Sequence, residues 1–138
     1  MRHFYIFKIK KEYATLTKRN PYHLYHTLEQ IYYVDKSEIH LGLDLFERII
    51  EPLNPKQIDI DLFKKYKENY FYTKYSNVHQ IHDIYRHENT KLTVCKTYLG
   101  LESSIPRPTF LKDLEQEPNL FFCDFENKDY FWLDKIKI

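Results

Sequence analysis

The stretch Arg2–Ile9, Arg-His-Phe-Tyr-Ile-Phe-Lys-Ile, decides the fold class because its residues alternate as they do in an extended strand. Phe4 and Ile6 fall on one side of such a strand, and Tyr5 and Phe7 fall on the other. Aromatic and β-branched residues are the types that a pleated, well-packed strand favours. Because both faces are apolar, this stretch predicts a central strand of a sheet rather than an edge strand.

Three helix-start signals follow the first strand. One helix is predicted to begin at Asn20-Pro21, a second to occupy residues 35–51, and a third, shorter one to begin at Asn54-Pro55. Asn or Asp can cap the free amides of a helix, and Pro suits the first helical position. For helix 35–51 the periodicity predicts a buried face of four apolar residues. These are Ile39, Leu43, Phe46 and Ile50.

Strand patterns dominate the C-terminal half of the chain. Four strands are predicted there, at residues 70–75, 91–101, 120–125 and 130–133, the last two forming a hairpin. Residues 78–86 fit either a short helix or a strand, and we favour the helix; residues 109–117 predict another short helix. One strand, then helices, then mostly strands is the order of an α+β fold. We therefore expect a single domain over residues 1–138, with an antiparallel-rich sheet and α-helices packed on it.

Composition narrows the functional classes. The net charge of +1 gives no global basic field for nucleic acid, and 43% hydrophobic residues exclude a disordered chain. No run approaches the ~18 consecutive apolar residues of a membrane span. The chain leads directly into a strand without a leader segment, so we expect a cytoplasmic protein. Its two cysteines, Cys95 and Cys123, are then expected to be free thiols inside apolar strands.

No catalytic or cofactor pattern emerges from the motifs. Two His-x-x-His spacings occur, at His23/His26 and His79/His82, but a useful metal site needs a third ligand. We therefore expect half-exposed histidines on helices rather than metal ligands. The two glycines stand far apart, which excludes a glycine-rich phosphate loop. The sequence predicts a protein that is not an enzyme, with no catalytic residues, no metal site and no cofactor.

A nucleic-acid role is the alternative that the residues themselves leave open. Aromatic side chains of a sheet beside lysines can stack the bases of a single strand. Phe4 and Tyr5 are the candidate rings in the first strand. The candidate lysines near the N-terminus are Lys8, Lys10, Lys11 and Lys18. The alternative is thus a single-stranded nucleic-acid-binding module, although the glycine-bearing ribonucleoprotein motif is absent.

Both ends of the chain resemble one known family. Arg2-His3, the aromatic run to Phe7, Lys11-Glu12 and Tyr13-Ala14 together resemble the opening of the SirA family, the sporulation inhibitors of replication of low-GC Gram-positive bacteria. Residues 120–133 are similar to the closing segment of that family. The matching pairs there are Asp124-Phe125 and Trp132-Leu133. The segment Asp83-Ile84-Tyr85-Arg86 is similar to a further patch of the family.

The resemblance implies a protein–protein role without chemistry. Members of the family bind the N-terminal domain of the replication initiator DnaA and block the initiation of chromosome replication. Their contact surface uses an aromatic residue just after the first strand, and one face of the helix that precedes a proline. Carried to this sequence, the partner-binding positions are Tyr13, Thr17, Leu45 and Arg48. Tyr13 matches the family in residue type, whereas the other three positions depart from it.

Overall fold

The computed structural model describes residues 1–135, which form one seven-stranded antiparallel sheet with helices on it. The strands are β1 (Arg2–Lys8), β2 (Tyr72–Tyr75), β3 (Val78–Asp83), β4 (Glu88–Val94), β5 (Leu99–Ser103), β6 (Leu120–Asp124) and β7 (Asp129–Trp132). Their order across the sheet is β2-β3-β4-β5-β1-β6-β7. β1 pairs with β5 on one side and β6 on the other, which confirms the predicted central strand.

Five α-helices accompany the sheet within the described residues, and the predicted α+β fold is confirmed. They are α1 (Lys11–Thr17), α2 (Pro21–Tyr32), α3 (Ile39–Ile49), α4 (Pro55–Tyr66) and α5 (Leu111–Leu114). The side chains of Asn20 and Asn54 accept hydrogen bonds from the third amide beyond them, as the cap signals predict. Within residues 1–135, no helix has both the length and the apolar character needed to cross a membrane.

Helices pack on both faces of the sheet and divide the core in two. α4 and α5 cover the face that carries Phe4, Ile6 and Phe122. α1, α2 and α3 cover the opposite face, which carries Phe7 and Phe121. The first group of side chains includes Leu62, Tyr66, Leu111 and Leu114 from the helices, and the second includes Ala14, Leu24, Leu28 and Ile49. The α1–α3 layer therefore lies beside the central strand, where it can present residues to a partner.

Residues 78–101 differ from the prediction in two ways. Val78–Asp83 is strand β3, so the preference for a helix there was wrong; β3 is hydrogen-bonded to β2 and to β4 along its length. The predicted strand 91–101 is instead two strands, β4 and β5, which pair with each other across a turn at residues 95–98. Cys95 lies half-buried in that turn rather than inside a strand. Cys123 is buried in β6, and burial raises the pKa of its thiol.

The second predicted helix is rotated relative to the expected face. It opens with a short 3-10 turn, Lys36–Glu38, and α3 then begins at Ile39. Ile39 and Leu43 are exposed, so half of the predicted inner face was wrong, whereas Phe46 is half-buried and Ile50 is buried. Gly42 takes the buried position because a Cβ atom there would lie 3.2 Å from Cγ1 of Val34. This close approach leaves Ile39 and Leu43 at the surface.

Candidate partner-binding surface

The end of β1 holds the first turn of α1 against the last turn of α3. The backbone N–H of Lys10 donates to the carbonyl of Ile49 at 2.8 Å, and the N–H of Glu51 donates to the carbonyl of Lys8 at 2.8 Å. These two hydrogen bonds join segments that are far apart in the sequence. The structure thus brings together the two helices to which the resemblance assigns partner contacts.

Tyr13 lies on α1 at the boundary between core and solvent. Its side chain is half-buried and packs against the cluster beneath α1–α3, while Ala14 beside it is fully buried. Leu16 is three residues further along α1 and 78% exposed. Residues three apart on a helix are neighbours on its surface. Tyr13 and Leu16 therefore form a continuous apolar strip that the core covers only in part.

Thr17 does not belong to this strip. Its side chain is only 3% exposed, and its hydroxyl donates to the carbonyl of Tyr13 at 2.8 Å. A threonine that satisfies its hydroxyl on the helix backbone can turn its methyl group towards the core without a polar penalty. The assignment of Thr17 to partner contact is therefore corrected, because its side chain faces the interior. Leu16, the residue before it, is exposed.

α3 contributes a second apolar strip. Leu41 is 71% exposed, and Leu45 and Arg48 follow it at the four- and three-residue spacings that share one helix face. The Arg48 guanidinium donates to the Asp44 carboxylate at 3.1 Å, with both side chains mostly in solvent. Such an exposed pair stabilises the fold little, so Arg48 can exchange its partner at low cost.

These five residues define the α1–α3 surface: Tyr13, Leu16, Leu41, Leu45 and Arg48. The sequence-based assignment missed Leu16 and Leu41. The signal that could have found them is their spacing, because each is apolar, yet lies outside the periodic positions that face the core. The surface contains one aromatic ring, three exposed leucines and one arginine, and its side chains suit binding rather than chemistry.

His79 is a fully buried titratable side chain outside this surface. It is fully buried on β3, where its Nε2 lies 2.7 Å from the Asp59 carboxylate and its Nδ1 lies 2.7 Å from the Tyr72 hydroxyl. Burial, and then the charge of Asp59, raise the pKa of Tyr72 to about 12. Because the Asp59 carboxylate can only accept, Nε2 carries the proton of that hydrogen bond, and with a neutral imidazole the Tyr72 hydroxyl donates to Nδ1.

The His79/His82 pair cannot act together. The two residues lie three apart on a strand, so their side chains point to opposite faces, and His82 is exposed. The expectation that both are half-exposed on a helix was wrong. Residues 1–135 contain no group of three or more His, Cys, Asp or Glu side chains placed to hold a metal ion.

We expect His79→Leu to lower the free energy of unfolding by about 1–3 kcal/mol, because it leaves the buried Tyr72 hydroxyl without its acceptor. Urea denaturation followed by circular dichroism measures this loss. His82→Leu is the matched control, since its side chain is exposed on the same strand. Equal effects of the two substitutions would contradict a structural role for the Tyr72–His79–Asp59 chain.

Glu88 is a second buried polar group that the sequence did not single out. Its carboxylate accepts hydrogen bonds from the Thr90 hydroxyl at 2.6 Å, from the Thr109 N–H at 3.0 Å and from the Thr109 hydroxyl. Three donors satisfy a buried carboxylate, so Glu88 is committed to holding the segment before α5 against β4.

Most residues that the nucleic-acid alternative requires are buried or engaged in contacts within the protein. Phe4 is buried beneath α4 and α5, so its ring has no access to a base. The ring of Tyr5 packs with those of Tyr32, Tyr98 and Phe125. Lys8 binds the Glu117 carboxylate at 2.7 Å.

The α1–α3 surface is therefore the best candidate for a functional site on the described residues. It combines exposed apolar side chains with an aromatic ring and an arginine whose present ion pair is weak. No model of a known protein family matches this chain, and no curated protein matches it.

Proposed function

We propose that the protein is a non-enzymatic regulator that binds the N-terminal domain of the replication initiator DnaA and inhibits the initiation of chromosome replication. The proposal starts from the resemblance of residues 2–14 and 120–133 to the two ends of the SirA family. It places the protein in the cytoplasm of a low-GC Gram-positive bacterium, in the context of sporulation. Binding would act by occlusion, covering a surface that the initiator needs for self-assembly or for other partners.

One observation carries the proposal. The hydrogen bond from the Lys10 N–H to the Ile49 carbonyl joins the start of α1 to the end of α3, and it supports our proposal that the α1–α3 surface acts as one contact area. That surface exposes Leu16, Leu41 and Leu45. Tyrosine and arginine are the residue types that most often anchor protein interfaces, and surrounding apolar contacts exclude water from them.

The departures from the family pattern give the surface its own character. Thr17 is buried, and its place in contact with the partner is taken by the neighbouring Leu16. Leu45 and Arg48 are both exposed but differ in type from the family residues. The partner domain should therefore carry a complementary apolar patch for the leucines and an acidic group near Arg48.

The first test is calorimetric titration of the purified protein against the isolated N-terminal domain of the cognate initiator. Tyr13→Ala should weaken binding by about 1–3 kcal/mol, roughly five- to hundred-fold, if Tyr13 is an anchor. Tyr70→Ala is the control, because Tyr70 is an exposed tyrosine outside the α1–α3 surface. No interaction at concentrations on the order of tens of micromolar, or full affinity after Tyr13→Ala, would contradict the proposal.

Arg48→Glu tests the electrostatic part of the surface. We expect weaker binding, with a larger loss at low ionic strength, because an exposed charge pair is screened by salt. The substitution also removes the pair with Asp44, which is exposed and contributes little to stability. Titrations at two salt concentrations measure the effect, and an affinity loss that is the same at both would argue against a charge contact.

A further inference from the structure

A groove lies on the opposite face of the sheet from the α1–α3 surface. It has a volume of about 540 Å³ and runs between α4 and the edge strand β2. Its lining residues are Asp59, Ile60, Phe63, Lys64, Lys67 and Lys74. A volume of this size is in the range of natural binding sites.

The apolar part of the groove consists of two side chains that the core does not use. Ile60 and Phe63 lie three residues apart on α4 and are 47% and 46% exposed. The core-facing side of the same helix is formed by Leu62 and Tyr66, which are buried. Covering these two exposed side chains with an apolar group lowers the free energy, because apolar surface is removed from water.

The charged part of the groove is cationic. Lys64, Lys67 and Lys74 have no ion pair or side-chain hydrogen bond within the part of the chain that the structure describes. The single lining carboxylate, Asp59, already accepts a hydrogen bond from His79. With three lysines and one carboxylate around its apolar pair, the groove has a net positive charge and favours an anionic partner.

The backbone of β2 adds a feature specific to peptides. The His82 N–H donates to the Phe71 carbonyl at 3.0 Å, and bonded and non-bonded pairs alternate along an antiparallel ladder. This alternation makes Thr73–Gln80 a bonded pair and leaves the N–H and C=O of Lys74 pointing out of the sheet. An extended peptide can pair with such an open edge.

We propose that this groove binds an extended acidic segment of another protein, whose apolar side chains cover Ile60 and Phe63. Its carboxylates meet Lys64, Lys67 and Lys74, and its backbone pairs with the open edge at Lys74. A peptide fits better than a nucleic acid because the open edge of β2 offers backbone N–H and C=O groups that pair with peptide groups. The groove and the α1–α3 surface lie on different faces of the sheet. The proposal for one can therefore fail its test while the proposal for the other stands.

The probe is a fluorescein-labelled peptide, Asp-Glu-Leu-Thr-Phe-Thr-Leu-Glu-Asp. On a strand its leucines and phenylalanine share one face with the terminal aspartates. Fluorescence anisotropy should show saturable binding with a Kd on the order of tens of micromolar. The same peptide with lysine at every acidic position, or with N-methyl groups on the backbone nitrogens of its five central residues, should bind at least about tenfold more weakly, because the former loses the charge pairing and the latter the backbone pairing.

Variants of the protein locate the binding site. Phe63→Ala, and the double variant Lys64→Glu with Lys67→Glu, should each raise the Kd of the acidic peptide about tenfold. Lys56→Glu changes an exposed lysine of α4 outside the groove and should leave the Kd within about twofold. Circular dichroism checks that each variant is folded.

Four results would overturn the proposal. The first is the absence of saturable binding, and the second is equal binding of the N-methylated peptide. The third is displacement of the acidic peptide by an oligothymidine that itself binds more tightly, which would assign the groove to nucleic acid. An unchanged Kd in the Phe63 and lysine variants would place the peptide elsewhere and contradict the proposed site in the same way.

Discussion

Phe122→Ala is expected to lower the free energy of unfolding by about 3–5 kcal/mol, the range for a fully buried phenylalanine. Phe122 lies on β6 directly opposite Ile6 of the central strand. Its ring centroid is 4.8 Å from that of Phe4 and 4.4 Å from that of Phe131. Hydrogen-bonded strands on both sides prevent these neighbours from moving into the space, so a cavity remains. Urea denaturation followed by circular dichroism measures the loss.

The matched control for this prediction is Phe63→Ala. Phe63 is nearly half exposed on α4 and belongs to neither buried cluster. The same truncation should change the free energy of unfolding there by no more than about 0.5 kcal/mol, as surface substitutions usually do. A loss below about 1 kcal/mol for Phe122→Ala would contradict the close packing of aromatic rings between β1, β6 and β7.

Leu16→Asp is expected to cause the largest loss of binding to the initiator domain, about 3 kcal/mol or more, which corresponds to a hundredfold higher Kd. In the free protein Leu16 is mostly in solvent, so a carboxylate there keeps its water and the fold is retained. In the proposed complex the same carboxylate is covered by apolar surface and loses its hydration. Titration calorimetry with the isolated domain gives the Kd, and circular dichroism verifies the fold.

Ile84→Asp is the control for that substitution. Ile84 is also an exposed aliphatic residue, but it lies between β3 and β4, near the β2 edge of the sheet. Its replacement adds the same charge to the protein without touching the α1–α3 surface. If both variants lost affinity equally, the effect would come from net charge. If neither did, Leu16 would lie outside the contact area.

The features that the sequence predicted well are the ones set by local chemistry. Residues 2–8 form the central strand because apolar residues on both faces can be buried only inside a sheet. The helices that begin at Pro21 and Pro55 start where expected because the preceding asparagine can cap them without help from the rest of the fold.

The features that it missed depend on partners distant in the sequence. Residues 78–83 form a strand because β2 and β4 satisfy their backbone groups, and His79 is tolerated inside because Asp59 and Tyr72 pair with it. The rotation of α3 follows from the contact between Gly42 and Val34. The periodicity of a single segment carries no information about such contacts. For this reason Ile39 and Leu43 were assigned to the wrong side of the helix.

For the candidate site, the structure buries one of the four residues that the resemblance assigned to partner contact, and it leaves the other three at least partly exposed. Tyr13, Leu45 and Arg48 remain predictions, now with a surface on which they can act together. Thr17 was assigned through alignment with an aromatic position of the family, but its side chain is buried and its hydroxyl donates to the Tyr13 carbonyl. Leu16 was overlooked because the resemblance has no partner-binding position for it.

Backbone NMR shifts test the central claim most directly. The ¹⁵N-labelled protein is titrated with the unlabelled N-terminal domain of the cognate initiator, and amide shifts are followed residue by residue. The proposed function predicts saturable changes concentrated in residues 11–17 and 41–48, and none in the edge strand at 72–75. The absence of changes at concentrations on the order of a hundred micromolar, or changes confined to residues outside α1 and α3, would contradict it.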